Sequence, residues 1–125
     1  MSLEKFDKNL KVSANIDATD IAFYNVRQKP FKIYGLYKPE SEGVFRRLPK
    51  EVSVATSEGV DWLATNTAGG RLRFKTDSEY IAISMKVKEV CLMSHMAFCG
   101  STGFDLYTKE NGEYIFKKTL CHQLP

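Results

Sequence analysis

Three groups of residues in this chain have types and spacings that could do chemistry. The first lies in TAGGRLRFKTDS, residues 67–78, where Arg71, Arg73 and Lys75 alternate with Leu72 and Phe74. A strand sends alternate side chains to opposite faces, so the three cations share one face, and Asp77 continues it if the strand reaches that far. Such a face is a solvated surface, a ligand site or a docking surface. Arginine fills the first two places, and its planar fork suits paired hydrogen bonds to carboxylates at an interface. Gly69 and Gly70 permit a sharp entry and the close approach of another chain. Within the domain, Asp105 on a neighbouring strand is an alternative partner for Arg73.

The second group is CLMSHMAFC, residues 91–99. Cys91, His95 and Cys99 are four apart and so share a face on a helix or a strand. Cys121 and His122 would extend the set. Structural zinc sites use tight pairs such as C-x2-C, and none occurs here. No metal is therefore expected, and the thiols read as small core or loop groups.

The third group is aromatic and acidic. The flat rings of Trp62 and Tyr107 suit stacking on a sugar, although the single Trp of a small domain is ordinarily packed. Asp105 stands between Phe104 and Leu106. It either faces solvent or is paired with backbone N–H groups or an arginine, and a hydrogen-bonded structural role is expected. Catalysis finds little support. There are two histidines, His95 and His122, and no G-x-S-x-G, P-loop or dinucleotide fingerprint. No catalytic residue and no cofactor is assigned.

The elements that position these groups read as strands. A 125-residue chain with 43% hydrophobic and 26% charged residues is expected to be one domain, 1–125. Turn signals recur at the spacing of a β-sandwich or barrel. Expected strands are 10–16, 31–37, 44–48, 71–76, 80–88, 104–109 and 113–119. The last two flank Asn111-Gly112, which supplies the positive φ angles of a tight hairpin. In 80–88, Ile81, Ile83, Met85 and Val87 share one face, and Leu72 and Phe74 should point inward with them. One segment reads as a helix of one or two turns, with Ser57 as its cap and Val60, Leu63 and Ala64 on one side. A net charge of +3 is too small and too scattered for nucleic-acid binding. No apolar run is long enough to span a bilayer. The first residues do not read as a secretory signal, and three cysteines without one are expected to be reduced thiols in the cytoplasm.

The stretch GFDLY, residues 103–107, resembles the name motif of the GxDLY domain, the N-terminal β-sandwich ahead of SGNH (GDSL-type) esterase domains. TAGGRLRFKTDS at 67–78, FRRLP at 45–49 and MSHMAFCGSTGFDLY leading into the motif are similar to that family's pattern in the same order. The resemblance covers roughly residues 17–118. It implies an antiparallel, jelly-roll-like sandwich without a catalytic triad of its own. It also implies an SGNH hydrolase domain as partner, in cis or in trans, in a carbohydrate-ester context. The expected fold is therefore all-β with at most a short helical turn. The expected function is that of a non-catalytic accessory domain. Binding or docking is assigned to Arg71, Arg73, Asp77, Asp105, Tyr107 and Trp62. The rival readings are a stand-alone carbohydrate-binding module and a protein-interaction domain, dimeric through an exposed sheet edge.

Overall fold

The computed structural model describes residues 21–87 and 93–121. They divide between Ala82 and Ile83 into two compact units. The expected strand 10–16 lies outside the described residues.

The first unit carries β1 (Lys32–Tyr34), α1 (Lys50–Thr56), α2 (Glu58–Ala64) and β2 (Arg71–Arg73). The strands β1 and β2 are antiparallel, with Lys32 opposite Arg73, Ile33 opposite Leu72 and Tyr34 opposite Arg71. The glycines before β2 do allow a close approach, but the neighbour is this chain. A Cβ on Gly70 would crowd Thr67 and Leu36, and one on Gly35 would crowd the backbone of Gly69.

Ser57 joins the two helices. Its extended backbone (φ −174°, ψ 162°) ends α1 and begins α2, and its Oγ accepts from the Val60 N–H at 3.2 Å. This is the expected cap. The inward side of α2 differs from expectation. Ala64 is 2% exposed, but Leu63 is exposed, and Asp61 takes the inward place beside half-buried Val60. Asp61 turns inward because α1 offers it a polar partner there, as described below.

The second unit carries α3 (Phe98–Thr102), β3 (Phe104–Glu110) and β4 (Glu113–Leu120). β3 and β4 form the expected hairpin. Asn111 and Gly112 have φ of 50° and 89°, as a two-residue turn between right-twisted strands requires. The register runs from Glu110 opposite Glu113 to Phe104 opposite Leu120, and it shifts between Leu106 and Tyr107. The shift leaves Lys117 as an extra residue on β4, a bulge that sharpens the local twist. Lys117 Nζ reaches back to Glu110 Oε1 at 2.5 Å.

The described residues are thus mostly non-helical, with antiparallel strands in two small sheets. Four expectations are corrected. Three short helices occur among the described residues, where a single one of one or two turns is expected. α1 follows Pro49, whose fixed φ suits a helix start, and carries Glu51 in its first turn, where the helix dipole favours an acid. Residues 44–48 are not a strand. Arg46 accepts from the Tyr37 N–H and the Arg47 N–H donates to Ala64, so the segment bonds two different neighbours and builds no ladder. Residues 80–87 form no strand either, despite their alternation, and Ile81 and Ile83 are exposed. Finally, Leu72 and Phe74 are exposed and not inward. β2 is one edge of a two-stranded ribbon, and Phe74 lies beyond it against Phe31, ring centroids 5.4 Å apart.

Candidate functional site

The polar centre of the first unit is Arg46, 6% exposed. Its Nη2 donates to Asp61 Oδ1 at 3.2 Å, and Ser53 Oγ donates to the same oxygen at 2.7 Å. Ser53 projects from α1 and Asp61 from α2, so one carboxylate ties both helices to the segment containing Arg46. The Ser53 hydroxyl, and after it the Arg46 guanidinium and the Lys50 charge, hold the Asp61 carboxyl below its ordinary range. Arg46 Nη1 is buried and has no hydrogen-bond partner among the described residues. A second arginine works nearby. Arg27 donates to the carbonyls of Pro39 and Glu42 and lies 3.9 Å over the Phe45 ring, which clamps the loop ahead of Arg46. Composition gave no hint of either arginine. The signal for Arg46 was its place in FRRLP.

The cationic strip sits on the β1–β2 ribbon. Paired residues of an antiparallel ribbon share a face, so Arg71, Arg73, Lys32 and Tyr34 stand together. The Arg73 guanidinium lies 4.9 Å over the Tyr34 ring. β2 closes at Arg73, so strand alternation does not carry through Lys75 to Asp77. Trp62 lies on the outer side of α2 and is exposed.

In the second unit the GFDLY stretch resolves into three separate jobs. Gly103 donates its N–H to the Cys99 carbonyl at 2.8 Å as α3 ends. A Cβ on Gly103 would overlap that same carbonyl oxygen, so only glycine fits. Asp105 faces Thr119 across the hairpin, and Thr119 Oγ1 donates to Asp105 Oδ1 at 2.7 Å. The carboxylate is hydrogen-bonded, but on an exposed residue and to a threonine hydroxyl, not to the backbone N–H groups or arginine expected. Leu106 is half-buried. Tyr107 faces Phe116, ring centroids 5.6 Å apart and edge to face. Tyr114 continues the row with Lys109 Nζ 5.8 Å above it. The three rings of this row remain 51%, 52% and 48% exposed at Tyr107, Phe116 and Tyr114.

At the open end of the hairpin Cys99 is half-buried and Cys121 is exposed, both as free thiols. Desolvation, a hydrogen bond with Cys99 and the Asp105 carboxylate raise the Cys121 thiol above its ordinary value. Among the described residues no group of three or more His, Cys, Asp or Glu could hold a metal ion. No helix there is long and apolar enough to cross a membrane.

Across residues 21–123 the chain matches the model of GxDLY, the N-terminus of the SGNH-hydrolase-type esterases. It belongs to the GxDLY family. The match spans both units, so the hairpin of GFDLY and the Arg46–Asp61 centre fall within one family segment. Comparison with curated proteins and with solved structures yields no match. GxDLY names the N-terminal part of an esterase and not its catalytic part. The motif, as built here, closes a turn, bridges a hairpin and displays a ring, and none of these is bond-breaking chemistry.

Proposed function

We propose that this GxDLY chain is a non-catalytic accessory domain that docks on an SGNH hydrolase domain and borders its substrate cleft. The observation that carries this is the row Tyr107, Phe116 and Tyr114. These rings are held in register by the hairpin, yet each keeps about half its surface in solvent. Aromatic rings on a rigid strand lose little entropy on binding and are favoured anchors of interfaces. Arg71 and Arg73 on the β1–β2 ribbon, with Asp77 beyond it, add a charged seam to the same reading. On this reading the two ribbons are parts of a jelly-roll sandwich, residues 1–125 are one domain, and the setting is cytoplasmic.

The same row favours a second reading. An exposed edge-to-face pair beside Lys109 is also a platform for a sugar ring, which fits a carbohydrate-ester context. One experiment separates the two. The chain is produced alone and extended through the hydrolase segment encoded after Pro125, or mixed with a separately produced SGNH domain if none follows. Docking predicts a stable association that Phe116→Ser weakens, with esterase activity falling alongside. A sugar platform predicts instead that glycan binding is lost in the chain alone while association is untouched. No association with any SGNH domain would refute the first reading.

A further inference from the structure

The chain brings two distant thiols together at one end of a hairpin. α3 ends at Thr102, and the next residue, Gly103, folds back on Cys99 through its 2.8 Å bond to the Cys99 carbonyl. β3 then starts at Phe104, opposite Leu120. Cys121 is the residue after Leu120. The register therefore delivers Cys121 to the place where Gly103 holds Cys99, close enough for the Cys99 thiol to bear on that of Cys121.

We propose that Cys99 and Cys121 form a reversible disulfide, a redox-modification site that staples α3 to the open end of the β3–β4 hairpin. The oxidant is a small-molecule disulfide of the glutathione class. Exposed Cys121 attacks first, through the small thiolate fraction that its raised pKa leaves, on one sulfur of that disulfide. The small disulfide's S–S bond breaks, and one glutathione leaves as thiolate and takes up a proton. Cys99, as thiolate, then attacks the Cys121 sulfur of the mixed disulfide and displaces the second glutathione. The protein gives up two protons and two electrons. The small disulfide takes them and becomes two thiols. Intramolecular attack wins over dimer formation because the register sets a high effective concentration of one thiol at the other.

The test equilibrates the chain in mixtures of reduced and oxidised glutathione and maps disulfides by mass spectrometry without reduction. Cys91→Ser is used throughout, because Cys91 and Cys99 fall in one tryptic peptide. The expected result is a monomer with Cys99 linked to Cys121, reversed by dithiothreitol, and a melting temperature raised by about 5 °C. Cys121→Ser alters an exposed residue, so it should fold as before and lose both the link and the shift. Single glutathione adducts without a link, a link between two chains, or a melting temperature unchanged by the link would each overturn the proposal.

Discussion

Arg46 and Ser53 hold the same oxygen of Asp61, one from a buried guanidinium at 3.2 Å and one from a hydroxyl at 2.7 Å. The carboxylate thus joins α1, α2 and the Arg46 segment, and removing it strands the buried guanidinium. Arg46→Ala should lower the melting temperature by several degrees. Asp61→Ala should do the same, because it leaves a buried guanidinium uncompensated. The double variant should lose much less than the sum. A thermal double-mutant cycle measures the coupling, and additive losses would show that the pair is not a unit.

The same carboxylate gives a pH signature. Its pKa is lowered on folding, so its stabilisation is present above the unfolded-state pKa and is lost as pH falls through the folded one. Glu110, lowered by Lys117 and Thr108, works in the same direction but is exposed and should matter less. Chemical denaturation across the acid range should show stability falling as pH drops. Asp61→Asn should be less stable near neutrality and flatten most of that slope. An unchanged slope would place the acid sensitivity elsewhere.

Gly103 is fixed by contact, not by an unusual backbone angle. Its φ is −84° and its ψ 167°, which any residue adopts, but a side chain there meets the Cys99 carbonyl. Gly103→Ala should therefore cost about 2 kcal/mol, as crowding in a packed place does. Denaturant midpoints of the two proteins read this directly. A cost near zero would mean that α3 shifts freely.

For the cationic ribbon the expected outcome depends on context. Arg73 over the Tyr34 ring is worth about 0.5–1 kcal/mol at an exposed site, so Arg73→Ala and Arg71→Ala should change the melting temperature of the chain alone only slightly. With an SGNH hydrolase domain joined or mixed in, docking predicts that they loosen the association and reduce esterase activity. Limited proteolysis and turnover measure the two effects. A large loss of stability in the chain alone would make these arginines internal struts.

The chain alone should not hydrolyse p-nitrophenyl acetate above a heat-denatured control. Turnover abolished by His95→Ala would contradict this.

What could be read from the sequence was local chemistry. Asn111-Gly112 fixes a turn by positive φ, and Ser57 fixes a helix start by one hydroxyl, and both stand where they were expected. The name motif marked a segment that the family match confirms. What could not be read was set by distant partners. α1 contains Val52 and Val54, poor helix formers, and its Ser53 is buried against Asp61 of the next helix. The alternation in 80–87 is written for a strand, but a strand also needs a neighbour's backbone, which period alone does not supply. Of the site residues, Asp105 and Tyr107 proved to be neighbours on one hairpin face. Arg71, Arg73, Asp77 and Trp62 stand in the first unit and not on that face, and on the proposed reading their roles belong to a docked hydrolase domain.

The two ribbons differ in how far the chain must travel to make them. β3 and β4 meet across a two-residue turn, whereas β1 and β2 meet only after residues 35–70 have been looped out. Closing a long loop costs entropy before any contact repays it. The hairpin should therefore form early, within microseconds of collapse, on the strength of its own turn. The β1–β2 ribbon must wait until α1, α2 and the Arg46 bridge have shortened the path between its ends. Order of assembly is thus written into sequence separation, and substitutions at Asp61 should slow the closing of a ribbon they never touch.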